Sequence, residues 1–210
     1  MMNCPLCLSR SLSLFDQDKL RSYQLCSDCR LISVPRDELI SPSDEKARYD
    51  LHENDESDGY RAYLNSIADA LLPQIPARSK GLDFGCGKSL LMEKILEGHG
   101  HTVESFDLYF HPKDSVLDET FDFILLSEVI EHLASPLEEM KKLRGKLREG
   151  GKIFLKTKLY PTDLLAFHSW SYKRDPTHIQ FFEYSSLKKL GEMIDLPQLQ
   201  VLGPDIFMLS

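Results

Sequence analysis

The sequence lacks the long apolar segments and the excess of positive charge that point to a membrane or a nucleic acid. No apolar run among the 210 residues approaches the ~20 residues that a membrane helix needs, so no membrane partner is expected. The formal net charge of −8 argues against a nucleic acid partner, because polyanions are bound mainly through basic surfaces. The first ten residues, MMNCPLCLSR, lack the apolar core of a secretory signal, and we therefore expect a cytoplasmic protein.

Cysteine is nearly absent after residue 30, where only Cys86 occurs. The other four cysteines form two CxxC pairs, eighteen residues apart: Cys4 with Cys7, and Cys26 with Cys29. In a reducing compartment such pairs are metal ligands rather than disulfides, and this spacing is typical of a closed, structural Cys4 zinc site on a small β-hairpin. A segment of ~40 residues buries too little apolar surface to fold alone, so zinc would supply its folding energy. We predict a zinc-ribbon module over residues 1–40.

The rest of the chain divides into a polar stretch and a long segment of mixed pattern. Residues 41–58, SPSDEKARYDLHENDESD, are acidic and predict a surface linker. From residue 59 a helical pattern is followed by alternating strand and helix patterns, which predict an α/β fold with a Rossmann-like, doubly wound, mostly parallel sheet. The last residues, LQVLGPDIFMLS, predict an antiparallel hairpin. We assign residues 59–210 to one domain, with ligands expected at the carboxyl ends of its parallel strands.

The stretch GLDFGCGKS, residues 81–89, ends in Gly-Lys-Ser as a triphosphate-binding loop does. Such a loop has the pattern G-x4-G-K-[ST], which requires glycine at position 82. Leu82 stands there, and Gly81 is one position too early. The spacing matters because successive backbone N–H groups must face one phosphate. The sequence therefore does not predict a triphosphate site.

A nucleoside cofactor fits the same stretch better. Asp83, Gly85 and Gly87 form an Asp-x-Gly-x-Gly turn between a strand and a helix, where glycines let the backbone approach a ligand. Asp107, twenty residues after Gly87, ends the next strand and can accept hydrogen bonds from a ribose diol. A dinucleotide loop has a third glycine where this chain has Leu90. A cofactor without phosphates is therefore favoured.

These motifs resemble those of class I S-adenosylmethionine-dependent methyltransferases. The segments LDFGCG, SFDLY, FDFILLSEVIEHLASP and LREGGKIFLKT follow in the order of that family, over about residues 59–210. The match is closer to bacterial members with an N-terminal Cys4 ribbon, an RYxxHEN-type linker and a later W-x-Y-x-x-D-P-T-H-x-x-F-F stretch, here Trp170 to Phe182. The resemblance implies a methyltransferase that uses S-adenosylmethionine.

The resemblance also implies which residues hold the cofactor. Carried over position by position, it assigns Asp83, Gly85, Cys86, Gly87, Asp107, Leu108, Ser127 and Glu128. The Asp83 loop would surround the methionine part, with Cys86 as a small apolar filler. Asp107 would bind the ribose, and Ser127 and Glu128 would flank the site.

Two departures from the family pattern affect this assignment. Ser89 stands where many members have a third glycine. Leu108–Thr120 is too short for the helix and strand that many members place there. Because that strand often supplies the contact to adenine, no adenine residue is assigned.

The acceptor chemistry depends on residues that follow the fourth and fifth predicted strands. A hydroxyl acceptor must lose a proton, and imidazole titrates near neutral pH. We therefore predict O-methylation of a small molecule, with His178 and His132 as candidate bases. The nearby aromatic side chains either line an acceptor pocket or pack in the core: Trp170, Tyr172, Phe181 and Phe182.

The same histidines allow a metal interpretation. Glu128-x-x-Glu131-His132, followed by His178, resembles the Mg²⁺ site of small-RNA 3′-terminal 2′-O-methyltransferases. However, Glu-His-Leu after this strand also occurs in members that hold no metal. The sequence leaves both interpretations open.

Two other functions remain compatible with parts of the sequence. The glycine loop with Asp107 also suits an NAD(P)-dependent reductase, although Leu90 and the final hairpin argue against it. The short stretch after Asp107 also suits a non-enzymatic zinc-ribbon adaptor with a degenerate cofactor domain. The sequence indicates neither the acceptor nor the oligomeric state.

Overall fold

Strands and helices alternate along the chain after a β-rich N-terminal segment. The computed structural model describes residues 3–51 and 57–210. The strands are β1 (Leu12–Gln17), β2 (Ser22–Cys26), β3 (Ile32–Ser33), β4 (Lys80–Phe84), β5 (Thr102–Phe106), β6 (Phe121–Ser127), β7 (Leu147–Lys156), β8 (Gln180–Phe181), β9 (Leu199–Gly203) and β10 (Ile206–Leu209). The helices are α1 (Pro42–Asp50), α2 (Asp58–Leu71), α3 (Leu91–Gly98), α4 (Pro136–Arg144), α5 (Leu164–Ser169) and α6 (Tyr184–Met193). In the part of the chain that the structure describes, no helix is long and apolar enough to cross a membrane.

The central sheet has six strands in the order β5-β4-β6-β7-β10-β9. Strands β5, β4, β6 and β7 are parallel, whereas β10 runs antiparallel to both β7 and β9. The predicted mostly parallel sheet with a C-terminal antiparallel hairpin is therefore confirmed. Its parallel strands bring their carboxyl ends to one edge, which contains the Asp83 loop, Asp107 and the residues after Ser127.

Burial on both faces explains the four consecutive apolar residues of β6, 123–126. Phe123 and Leu125 face helices α2 and α3, whereas Ile124 and Leu126 face α4 and α6. Successive side chains of a strand point to opposite faces, so a strand covered on both sides needs apolar residues at every position. The apolar residues on the α4 and α6 face of the sheet also pack with buried residues of the N-terminal module, including Leu31. The module therefore packs on the same core as α4 and α6.

Strand β5 forms an edge of the central sheet. Between β5 and β6 the structure has a short 3-10 turn at Asp114–Asp118, and no helix and strand pair. This agrees with the prediction that Leu108–Thr120 is too short for both elements.

A second, smaller sheet joins the N-terminal module to a later part of the chain. Its strand order is β1-β2-β3-β8, and Ile32 of β3 is paired with Phe181 of β8. Val34 N also donates to Ile179 O at 2.9 Å. The module therefore shares a sheet with the segment that follows His178.

Part of the segment interpreted as a linker is helical. Ser41 caps α1 by accepting a hydrogen bond from Asp44 N, and Pro42 stands in its first turn. No residue of α1 is fully buried, so its sequence has no apolar stripe to reveal it. The RYxxHEN-type motif begins in α1 with Arg48 and Tyr49, whereas its His52–Asn54 part lies outside the described residues.

Candidate active site

The glycine loop turns sharply between β4 and α3. Gly85 and Gly87 have φ angles of 78° and 67°, a region that side-chain-bearing residues rarely adopt. A Cβ atom on Gly85 would lie 2.5 Å from the Val129 side chain, so the loop also requires glycine for close packing. Gly85 N and Cys86 N both donate to Phe106 O, at 2.7 and 3.2 Å. The loop is therefore held against the end of β5.

Asp83 lies beneath this loop with only 4% of its surface exposed. Burial raises the pKa of its carboxyl to about 7, and the neighbouring acids Glu93 and Asp107 add to the rise. A buried carboxylate surrounded by other acids favours a cationic ligand, since a positive charge would relieve both the burial and the repulsion. The sulfonium and ammonium groups of S-adenosylmethionine are ligands of that kind.

Asp107 accepts three hydrogen bonds from the backbone at the end of β5. Oδ2 accepts from Gly87 N at 3.0 Å, and Oδ1 accepts from Tyr109 N and Phe110 N at 2.9 and 3.0 Å. A carboxylate has about four lone-pair sites, so a ribose hydroxyl can join without breaking this arrangement. Leu108, the neighbouring predicted cofactor residue, is 68% exposed. Cys86 is half-buried, and burial raises the pKa of its thiol, which agrees with a filler rather than a nucleophile.

The end of β6 adds Ser127 and Glu128 to the same edge. Glu128 is a non-glycine residue with φ of 54°, and such strained positions often occur at functional sites. Its carboxylate lies 3.6 Å from Lys156 Nζ and accepts from Tyr172 OH at 2.9 Å. Glu128 is therefore held by two partners, on the side of the site away from β5.

His132 and His178 lie next to each other, although 46 positions separate them in the sequence. Their ring centroids are 4.8 Å apart. His132 Nδ1 donates to Thr177 O at 2.9 Å, and His178 Nδ1 donates to Tyr172 O at 2.7 Å. A carbonyl oxygen only accepts, so each ring carries its proton on Nδ1 and presents Nε2 as the basic atom. Burial lowers the pKa of His178, which keeps this imidazole neutral at pH 7.

Glu131 lies under the two imidazoles and is fully buried. Tyr172 OH and Thr157 Oγ1 both donate to its carboxylate, the latter at 3.0 Å. Burial raises the pKa of Glu131 to about 8, and repulsion from Glu128 adds to the rise. The ligand atoms of Glu131, His132 and His178 lie within 4.8 Å of one another. Three of the four residues in the metal interpretation therefore come together, while Glu128 is bound to Lys156 and Tyr172.

Sequence reasoning missed the role of Tyr172 and the cover formed by α1. The sequence indicates Tyr172 only as an aromatic residue of a pocket or of the core, yet its hydroxyl hydrogen-bonds the carboxylates of both Glu128 and Glu131. Tyr49 of α1 packs against Tyr109 and His132, with centroid distances of 5.8 and 5.5 Å. Arg48 of α1 also pairs with Asp175 at 3.0 Å. Phe181 and Phe182 are core residues, so they do not line an acceptor pocket.

The four N-terminal cysteines form a cluster that suits zinc. Cys4 Sγ lies 3.5 Å from Cys29 Sγ, and Cys7 Sγ lies 3.5 Å from Cys26 Sγ. A tetrahedral zinc ion with bonds of about 2.3 Å separates its sulfur ligands by about 3.8 Å. The hydrogen bond from Cys29 lowers the pKa of the Cys4 thiol to about 5, so one ligand is ready to lose its proton. The donor set and its geometry fit a structural zinc ion, which these four cysteines would hold.

Zinc removal is expected to unfold the N-terminal module. Protein purified without chelator should contain about one zinc per chain, and Cys26→Ser should abolish this binding. Because the module packs on the main core, chelation should lower the melting temperature by roughly 10 °C or more. Metal analysis and thermal unfolding measure both effects, with Cys86→Ser as the control that retains zinc. Metal-free protein of unchanged stability would contradict the zinc prediction.

The sheet order, the Asp83 loop and the acid at the end of β5 define the class I fold of S-adenosylmethionine-dependent methyltransferases. The sequence model of the family described as "Methyltransferase domain" matches residues 56–200. The chain belongs to this family. No curated protein matches the sequence significantly.

Solved structures of methyltransferases share parts of this fold. A candidate methyltransferase from Bacillus halodurans C-125 is 19% identical with a TM-score of 0.50, and the match covers 67% of each chain. CalO1, a methyltransferase in calicheamicin biosynthesis solved with S-adenosylhomocysteine bound, is 13% identical with a TM-score of 0.47 over 69% of this chain. This chain spans 53% of CalO1. A TehB-like methyltransferase from Corynebacterium glutamicum is 16% identical with a TM-score of 0.45, over 80% of this chain and 95% of its own.

Proposed function

We propose that the protein transfers the methyl group of S-adenosylmethionine to a hydroxyl oxygen of a small molecule. The observation that carries this proposal is the pair of imidazoles, His132 and His178, beside the carboxyl end of β6. Each ring hydrogen-bonds a carbonyl oxygen through Nδ1, and Nε2 is the atom of an imidazole that would accept a proton from a hydroxyl. The family match decides against the alternative of a nicotinamide-dependent reductase.

The cofactor would occupy the edge formed by the Asp83 loop and Asp107. Asp83 would compensate the positive charge of the methionine part, and Asp107 would bind the ribose. S-adenosylmethionine supplies an activated methyl group, so the protein mainly has to align the acceptor oxygen with the sulfonium carbon. Bound there, S-adenosylmethionine would supply the methyl group, which would leave sulfur as it bonds to the acceptor oxygen, and the imidazole of His178 or His132 would take the acceptor proton.

A small acceptor is favoured by the elements that cover this edge. Helix α1 lies over His132 through Tyr49, and the Arg48–Asp175 ion pair joins α1 to the loop before His178. Acidic groups converge on the site, namely Asp83, Asp107, Glu128 and Glu131. A nucleic acid would meet repulsion there, whereas a small hydroxylated molecule would not.

Calorimetry followed by label transfer tests the proposal. We expect S-adenosylmethionine and S-adenosylhomocysteine to bind and NAD(H) not to bind. Radiolabel from the cofactor methyl group should then appear in a small-molecule fraction of a cell extract. Binding of neither sulfur cofactor would favour the adaptor alternative, and label in protein or RNA alone would contradict a small acceptor.

The metal interpretation of the same cluster makes a separate prediction. If Glu131, His132 and His178 act as a base and its support, added Mg²⁺ or Mn²⁺ should leave turnover unchanged. If they hold a catalytic cation, turnover should rise several-fold with added metal and lose that response in Glu131→Gln. Metal addition is the sharper test, because chelation also removes zinc from the N-terminal module.

A further inference from the structure

The N-terminal module reaches the active site through one buried arginine. Arg21 precedes β2 and is 8% exposed. Its guanidinium donates to three backbone oxygens of the segment before His178: Lys173 O at 2.6 Å, Asp175 O at 2.9 Å and Pro176 O at 2.9 Å. These contacts join residues more than 150 positions apart. They connect the N-terminal module to residues 170–179, here named the His178 loop.

The guanidinium is itself held rigidly. Its Nε donates to Tyr23 OH at 3.1 Å, and Tyr23 OH donates to Asp18 at 2.7 Å. The loop contributes a second buried cation, Lys173, which pairs with Asp16 and lies 4.3 Å from the centroid of the Tyr23 ring. Aspartates of the N-terminal module therefore offset the charge that the loop brings into contact with it.

The three oxygens bound by Arg21 lie, in chain order, between the two oxygens that orient the imidazoles. Tyr172 O accepts from His178 Nδ1, and Thr177 O accepts from His132 Nδ1. Lys173, Asp175 and Pro176 lie between these two residues. Fixing three carbonyl groups along this short segment fixes the peptide planes beside them, because only two dihedral angles per residue are free. Both imidazoles thus depend on the segment that Arg21 holds.

We propose that Arg21 is a positioning residue that sets the orientation of His178 and His132. Through Arg21 the N-terminal module becomes a part of the active site. The proposal rests on the proposed role of the imidazoles. It predicts that changes at Arg21 alter the chemistry of the histidines while the distant cofactor loop keeps its affinity.

Replacement of Arg21 by methionine in the full chain tests this role, because methionine keeps much of the apolar bulk and removes every donor. We expect turnover to fall by roughly 10- to 100-fold, with an unchanged dissociation constant for S-adenosylhomocysteine. Burial lowers the pKa of His178 and the Arg21 charge adds to this, whereas the hydrogen bond to Tyr172 O and the carboxylates of Asp175 and Glu128 raise it. Because the hydrogen bond and Asp175 belong to the segment that Arg21 holds, a nuclear magnetic resonance titration of the His178 ring should show a shifted pKa in Arg21→Met.

The controls separate positioning from folding. Arg10→Gln removes an exposed arginine of the same module and should change neither turnover nor the titration. Arg21→Lys keeps the charge but cannot form the same fork of hydrogen bonds, and it should show an intermediate loss of turnover; it decides the question if Arg21→Met does not fold.

A folded Arg21 variant with wild-type turnover and wild-type titration of His178 would overturn the proposal, as would a parallel loss of cofactor affinity. The titration needs no acceptor. It therefore judges the role of Arg21 even if methyl transfer to a small molecule is not found.

Discussion

Replacement of Asp83 by asparagine is expected to weaken binding of S-adenosylmethionine by at least about tenfold, or roughly 1.4 kcal/mol. In the unliganded protein, burial and the neighbouring acids destabilise the negative charge of the Asp83 carboxylate. A bound cationic cofactor would stabilise that charge, since a buried charge is stabilised by an opposite charge. Asparagine keeps the shape of the side chain and removes that charge.

The same replacement should stabilise the unliganded protein above neutral pH. The pKa of Asp83 rises from 3.8 to about 7 on folding, so the folded state binds more protons than the unfolded state between these values. Stability is therefore lost as pH rises from about 4 to about 7. A shift of this size corresponds to roughly 4 kcal/mol, and Asp83→Asn should recover part of it as a higher melting temperature.

Calorimetry with the cofactor and thermal unfolding from pH 5 to pH 8 measure both parts of this prediction. Asp69→Asn is a matched control, because Asp69 is an exposed aspartate on α2. Asp83→Asn with wild-type cofactor affinity would show that the carboxylate does not face the cofactor. A variant less stable than wild type at pH 8 would contradict the electrostatic argument.

Replacement of His178 by alanine should lower turnover by roughly 10²- to 10⁴-fold, the usual effect of losing a general base. Cofactor affinity should stay unchanged, because His178 lies in a loop, whereas the proposed cofactor residues Asp83 and Asp107 lie at the ends of β4 and β5. His178 lies in ring contact with His132 and Tyr172, so the loss should fall on the acceptor side of the site.

The pH dependence of turnover supplies a second readout for His178. Its pKa is lowered by burial from the ordinary value of 6.5, and only the neutral imidazole accepts a proton. Activity should therefore still be retained at pH 6.5 and be lost only at lower pH. His99→Ala, at an exposed position after α3, is the control. Full turnover in His178→Ala would remove this residue from the mechanism.

The fold could be predicted from local features of the sequence. Apolar residues at consecutive positions of FDFILL indicate a strand covered on both faces, and the structure places them so. The turn after β4 could also be located, because glycine is needed where φ is positive, as at Gly85 and Gly87. Both signals depend on neighbours in the chain and need no knowledge of the packing.

The second half of the site could not be predicted in the same way. The sequence named His132 and His178 as bases and left a metal open, but it did not indicate that Tyr172 would join Glu128 to Glu131. Residues 41–58 also have the composition of a linker, yet helix α1 forms there and its Tyr49 packs against His132. Such contacts form when separate helices, strands and loops come together in the fold, so they cannot be predicted from the periodicity of the sequence.

The sequence alone determined the class of fold and the position of the glycine turn after β4, and it predicted the zinc site. These follow from backbone preferences and from the spacing of like residues. What only the tertiary structure decided was the joining of the N-terminal module to the His178 loop. Arg21 meets its three carbonyl oxygens across more than 150 residues, and backbone oxygens are the same in every residue. A contact to them leaves no trace in the amino-acid sequence, because the partner side chains are free to vary.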